Sequence, residues 1–267
     1  VGLMYQRGFF HQRIDASGYQ HEYWYATGPD RRSTAKITNE EGEPLCVTVP
    51  VWGEPVKVHV WRVEVGRVPL FLLDTEVQGN SPRQRFITAR LYEGNHQIRL
   101  AQYALLGVGG VRVLHALGIE PSVIHMNEGH PAAATLEMVG RLVRDGAGFE
   151  EACDRVRRKV VFTTHTPVPA GNETYSPDEF GAVFQDAASS PGTGLEGILR
   201  LGRIRPDDTN EPPGMTALGI RMSRSTNAVS RIHGGVARRM WRDLFPGRSV
   251  EDVPITHVTN GSHLPTW

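Results

Sequence analysis

The chain has 267 residues, with 29 Lys+Arg balancing 29 Asp+Glu and 39% hydrophobic residues. A neutral balance leaves no electrostatic footprint for nucleic acid or anionic membranes, and no apolar run approaches the ~20 residues of a membrane helix. Two cysteines, Cys46 and Cys153, are too few for a disulfide framework and suit a reducing cytoplasm. The first stretch, VGLMYQRGFF, lacks the basic and apolar regions of a signal peptide. The chain opens on Val1 rather than Met and stops at Trp267 after a motif-like run, so a piece of a longer protein is expected.

Taken in chain order, the first third reads as β-rich. Cys46 to Pro50 and Val56 to Val65 alternate apolar and polar residues around a Gly53-Glu54-Pro55 turn, the pattern of a hairpin with one wet face. Leu70 to Leu73 is a continuous apolar run, as in a strand buried on both faces. From Gln97 the rhythm becomes helical, through Val108 and then from Val111 to Leu117, with Gly118 as a C-cap. Gly107, Gly109 and Gly110 interrupt it. Without a strand before and a helix after, they read as close helix packing rather than a phosphate loop.

Ser122 to Met126 then reads as a buried strand, Pro131 to Gly146 and Phe149 to Arg158 as helices, and Val160 to Thr163 as a second buried strand. Strand, helix, helix, strand is a crossover unit, which implies parallel strands in an α/β sheet. Pro177 to Ala188 reads as a helix and the proline-rich Arg203 to Gly214 as a loop. Asn227 to Phe245 carries Val229, Ile232, Val236, Met240 and Leu244 at helical spacing, and Pro254 to Val258 reads as a strand.

In open α/β sheets ligands lie beyond the carboxyl ends of the strands, where loops and helix N-termini converge. Three strand ends here carry polar groups: Asn127-Glu128-Gly129-His130-Pro131, Thr164-His165-Thr166-Pro167 and Thr259-Asn260-Gly261-Ser262-His263. Amide, hydroxyl, imidazole and carboxylate groups are the set that hydrogen-bonds sugar hydroxyls or phosphate. The competing reading makes Glu128 only a cap that complements the helix dipole. No HExxH, CxxC, GxSxG or Walker pattern offers a rival metal or nucleophile chemistry, and Cys153 reads as core.

These motifs resemble those of the α-glucan (glycogen, starch and maltodextrin) phosphorylases, glycosyltransferase family 35. The resemblance runs nearly the whole length: Gly2 to Glu22, Ala89 to Tyr92, Arg99 to Tyr103, Asn127 to Pro131, Val161 to Ala170 (VFTTHTPVPA), Asn227 to Arg239 and Val258 to Trp267 (VTNGSHLPTW). It implies reversible phosphorolysis of α-1,4-glucan ends to glucose 1-phosphate with retention, in a cleft between two Rossmann-like domains of the GT-B fold. It also implies a pyridoxal 5′-phosphate cofactor on a lysine of a C-terminal domain. None of Lys36, Lys57 and Lys159, the only lysines here, matches that cofactor motif. The glycine-rich phosphate loop is expected upstream of Val1 and the cofactor domain downstream of Trp267.

By that resemblance, His165 sits at the cleavage subsite, its carbonyl near the developing oxocarbenium and its imidazole on the glucose 6-hydroxyl. Asn260 is a second partner for that hydroxyl. Asn127, Glu128, His130 and Thr166 bind substrate beside it, with Glu128 and His130 lining the acceptor subsite. Asn227-Ala228 stands where the family has Asn-Gly, a departure that touches local backbone geometry. The expected fold is one α/β domain, residues 1–267. It comprises a β-rich portion over 1–88 and a Rossmann-like portion over 89–267, the latter an incomplete N-terminal domain of a GT-B fold. The expected partners are glucan or maltooligosaccharide and phosphate, without nucleic acid or membrane, in a cytoplasmic protein for which the resemblance allows a homodimer. On its own the segment is expected to be inactive. The alternatives are a non-catalytic glucan-binding or scaffolding module, and a nucleotide-sugar glucan synthase, which the Asn127 and Thr164 motifs disfavour.

Overall fold

The computed structural model describes residues 1–26, 34–91, 93–188 and 194–262. The chain is a mixed α/β structure that divides into two compact units, Val1–Gly118 and Ile119–Trp267.

The first unit holds β1 (Gly2–Leu3), β2 (His11–Ile14), β3 (Gln20–Tyr23), β4 (Thr34–Lys36), β5 (Cys46–Val51), β6 (Glu54–Val65) and β7 (Val68–Asp74). The long β6 pairs antiparallel with β7 on one side and with both β5 and β4 on the other, while β1 lies parallel to β7. The alternation read from the sequence is the observed one: Val47, Val49, Val51, Val56, Val58 and Val60 are buried, and Cys46, Thr48 and Lys57 face out. The turn between β5 and β6 centres one residue earlier than expected, on Trp52 and Gly53, both at positive φ (56° and 73°). Two such residues make the tight turn whose twist matches a hairpin. Strands β2 and β3 form a separate two-stranded hairpin.

After α1 (Pro82–Phe86), α2 (His96–Ala104) and α3 (Gly110–Ala116) form one continuous run joined by a π-helical turn at Leu105–Gly109. A Cβ on Gly109 would lie 2.9 Å from a Leu73 methyl and 3.1 Å from a Val49 methyl, so glycine lets the helix settle closely onto these side chains of the sheet. The glycine run therefore serves packing. This helical run, which falls within the 89–267 portion of the sequence reading, lies in the first unit.

The second unit contains β8 (Ile124–Asn127), α4 (Ala133–Arg144), α5 (Phe149–Lys159), β9 (Val160–Thr164), α6 (Pro177–Ala188), α7 (Gly194–Gly202), α8 (Met215–Arg221), β10 (Ser225–Ala228), α9 (Arg231–Met240) and β11 (Ile255–His257). The sheet is four-stranded, all parallel, in the order β11-β10-β9-β8. Strands laid down successively in one direction, with right-handed crossovers, put their connecting helices on one face. Accordingly α8 meets Phe162 through Gly219, and α9 meets His257 through Gly234, on the face that also buries Met126, Thr164, Ala228 and Ile255. The opposite face carries His125, Asn127, Ser225 and Thr256, all exposed. The edge strands β8 and β11 are thus buried on one face, whereas β9, read as a buried strand, also keeps Thr163 buried on the other.

Two local expectations change. Asn227 lies in β10 rather than in a helix, and α9 starts at Arg231. Its buried side is His233, Gly234 and Ala237, while Ile232, read as a core position, is 82% exposed. Helix α4 begins at Ala133, two residues after the expected Pro131, and ends as read. Gly146 (φ 98°) donates to Val143 and Ala147 to Leu142, the paired bonds that close a helix through a left-handed residue. The expected loop at 203–214 is irregular, between α7 and α8, neither of which the periodicity reveals.

Candidate functional site at the strand ends

The parallel register aligns Asn127, Thr163, Asn227 and Thr256 across the sheet, so the residues that follow them emerge at one end. The Glu128 amide extends the ladder by donating to the Thr163 carbonyl at 2.8 Å. Beyond β11, the Val258 amide donates to Ala228 and the Asn260 amide to Val229 at 3.1 Å, which ties the Thr259–Ser262 segment to the end of β10. Ala228 is an ordinary buried strand residue, so the departure from Asn-Gly costs no unusual backbone.

Of the six residues read as a site, Asn127, Glu128, His165 and Thr166 come together at the ends of β8 and β9. Asn260 joins the same end of the sheet through its backbone. His130 follows Glu128 in the turn into α4. Asn127, His130, His165 and Asn260 are exposed, and Thr166 is half-buried. His263, with the rest of the 263–267 run and Tyr92, lies outside the described residues.

Glu128 is the exception. It is only 9% exposed and holds φ at 67°, a left-handed conformation that costs a side-chain-bearing residue about 1 kcal/mol. Its carboxylate does not cap α4. Oε2 instead accepts the His165 amide at 2.6 Å, the Thr166 amide at 2.9 Å and the Thr166 hydroxyl at 3.1 Å. Oε1 is buried without a partner among the described residues. Gly129 makes the bend possible, since a Cβ there would lie 2.9 Å from the Thr216 hydroxyl and 3.0 Å from its amide.

Sequence reasoning missed His233. It is buried in α9, its Nδ1 accepts the Val229 amide at 3.4 Å, and its Nε2 contacts the Thr166 carbonyl at 3.3 Å. The signal available was its place in the Asn227–Arg239 motif, where only the aliphatic periodicity was followed. On the polar face of the sheet, His125 Nε2 meets the Thr163 hydroxyl at 2.7 Å, and that hydroxyl donates to Asn227 Oδ1 at 3.0 Å. This row joins three strands just below the site.

Among the described residues no group of three or more His, Cys, Asp or Glu could hold a metal ion, and no helix is long and apolar enough to cross a membrane. Lys36 bonds His59 at 3.1 Å beneath the Trp61 ring, and Lys57 and Lys159 are exposed on a strand and at a helix end. Cys153 is buried in α5, where burial, then the nearby Glu150 charge, pushes its thiol up to about 12.

No family model matches the chain. Among curated proteins it is similar, over its full length, to α-glucan phosphorylases. It is 41% identical over all 267 residues to maltodextrin phosphorylase of Thermococcus litoralis, covering 31% of that protein. It is 38% identical to glycogen phosphorylase of Mycobacterium tuberculosis and 36% identical to glycogen phosphorylase of Aquifex aeolicus, covering 32% and 38% of those proteins. The chain thus spans about a third of the length of the curated relatives it matches. The resemblance to a phosphorylase segment, read above from separate motifs, holds across the whole chain.

Proposed function

We propose that the protein carrying this sequence is an α-1,4-glucan phosphorylase, transferring a terminal glucosyl unit from glucan to phosphate with retention. The observation that carries this reading is the full-length likeness to proteins named maltodextrin and glycogen phosphorylase. The gathering of Asn127, His165, Thr166 and Asn260 at one end of a parallel sheet supports it. Residues 1–267 then form part of an N-terminal GT-B domain and supply one wall of the cleft.

In this wall His165 faces the cleavage subsite. A fixed backbone carbonyl places its negative end toward a developing sugar cation without reorganising, which is how prepositioned dipoles lower a barrier. The His165 imidazole and the Asn260 amide hold the 6-hydroxyl, and of the expected acceptor-side pair His130 is exposed to a ligand, whereas Glu128 turns its carboxylate to the loop after β9. Pyridoxal 5′-phosphate would supply proton-transfer chemistry at the substrate phosphate when bound, and in this reading it is held by residues other than these 267. The assembly is cytoplasmic and compatible with a homodimer.

The test is glucose 1-phosphate release from maltoheptaose and phosphate by the intact protein, with H165A as control. Release that the substitution abolishes supports the reading. No release by the unsubstituted protein, with maltopentaose binding retained, would instead favour a glucan-binding module. The polypeptide of residues 1–267 alone is expected to release none above the H165A control.

A further inference from the structure

The segment leaving β9 is irregular, yet three separate elements converge on one of its residues. Thr166 gives its amide and hydroxyl to Glu128 Oε2, the same oxygen that takes the His165 amide. Its carbonyl meets His233 Nε2 from the other side. Because Nδ1 of that ring accepts the Val229 amide, the ring proton sits on Nε2 and donates to Thr166. The chain then folds back so closely that a Cβ on Gly171 would lie 2.6 Å from Thr166 Cγ2.

We propose that Glu128 and His233 are positioning residues, Glu128 holding the His165 and Thr166 amides and His233 the Thr166 carbonyl, so that the His165–Thr166 segment is locked at the open end of the sheet, and that neither touches the glucan. The proposal rests on the phosphorylase reading for its consequence, though not for its geometry. A sugar ligand must present a polar atom to the cleft. Glu128 has one oxygen filled by three donors and the other buried with almost no accessible surface. His233 is 7% exposed and has both nitrogens engaged. Charge-assisted bonds from a carboxylate to backbone amides are short and directional, so they hold a peptide plane better than neutral contacts do. The left-handed backbone at Glu128 aims the carboxylate across to β9, where a helical or extended backbone would send it elsewhere. Once that peptide is fixed, the His165 carbonyl and imidazole keep a single relation to the sheet edge.

The test uses the intact protein with E128A, E128Q, H233A and H233Q. Amide hydrogen exchange, followed by mass spectrometry on peptides covering His165 and Thr166, needs no activity. E128A, which removes the acceptor of both amides, is expected to speed exchange there roughly tenfold, and H233A, which frees only the Thr166 carbonyl, by a smaller factor of about two to three, while peptides from α5 and α6 keep their protection. Kinetically, kcat falls about ten- to a hundredfold while KM for maltooligosaccharide stays within about twofold, the signature of misplaced rather than missing binding groups. H233Q, whose amide can still donate to the Thr166 carbonyl, recovers much of the loss that H233A suffers, and E128Q falls between wild type and E128A. Unchanged exchange at His165 and Thr166 overturns the proposal. So does a raised KM at constant kcat, which would make Glu128 a sugar ligand. If the unsubstituted protein performs no phosphorolysis, the functional reading fails, and the exchange result still decides whether the two residues position the peptide.

Discussion

Among the described residues, each unit of the molecule places one residue other than glycine in the left-handed region, and the two put it to different use. Trp52 (φ 56°) reverses the chain between β5 and β6, and the Arg83 guanidinium lies over its ring at 3.9 Å. Its conformation is demanded by the hairpin, whatever the side chain does. Glu128 (φ 67°) sits in no hairpin; its backbone turns so that its carboxylate reaches the loop after β9. A second pair sharpens the contrast. Gly109 in the first unit and Gly219 in the second each seat a helix on a sheet, against aliphatic methyl groups in one case and the Phe162 ring in the other. Backbone strain in the first unit serves topology, whereas in the second it serves the placement of particular groups.

The largest effect is expected at the glycine pair. A Cβ on Gly219 would lie 2.5 Å from a Phe162 ring that is wholly buried and cannot step aside. Gly219→Ala should cost about 3 kcal/mol, and Gly109→Ala, where the nearest methyls lie farther off at 2.9 and 3.1 Å, about 1 kcal/mol in urea unfolding. The reverse order would break the comparison. Next, Glu128→Gly removes the strain together with three hydrogen bonds and should lower stability by about 1–2 kcal/mol. Trp52→Gly, where relief of strain offsets added chain entropy, should stay within about 0.5 kcal/mol of wild type. Equal losses at both would show that Glu128 is held by backbone topology alone.

The thiols divide in the same way. Cys46 is exposed in the first unit and Cys153 is buried in the second. A thiol reagent should label Cys46 in the native protein and Cys153 only on unfolding. Burial pushes the Cys153 thiol up to about 12, so the folded state holds its proton more tightly than the unfolded chain. That contribution is complete below the unfolded thiol range and is lost as pH rises toward about 12. Alkaline melting of wild type should therefore steepen relative to Cys153→Ala. The smallest effect concerns Asp15, in the turn of the β2–β3 hairpin. The Ser17 hydroxyl, then His21 and the Tyr19 amide, hold its carboxyl well below the usual range. A depressed carboxylate stabilises above its unfolded range and ceases to as pH falls through the folded value. The Tyr19 amide should lose exchange protection at acid pH, and in Asp15→Asn at neutral pH. A pH-independent hairpin would refute this.

Much of the first unit's sheet was legible because period-two alternation reports a single buried face. Val56, Val58 and Val60 on one side and Lys57 and His59 on the other fix which way β6 faces. The parallel strands were legible as apolar runs with polar ends, and Asn127, His165 and Asn260 were found because they follow such runs. The stretch around Asn227 was misread as helix from its start. Val229 and Ile232 happen to continue a helical spacing, whereas pairing with β9 and β11 decides the local structure. His233 stayed hidden because its partners, Val229 and Thr166, lie on different elements.

By itself, then, the amino-acid sequence determined the strand and helix inventory wherever periodicity was strong. It also determined the glycine-bounded end of α4, the polar strand ends and the likeness to phosphorylases. Tertiary structure alone decided which face of the parallel sheet is covered, because that follows from the hand and order of the crossovers. It also decided what Glu128 does. A carboxylate before a helix can serve the helix N-terminus or a neighbouring strand. Here the donors it meets lie 37 and 38 residues further along the chain, brought within 3 Å by the parallel pairing of β8 with β9.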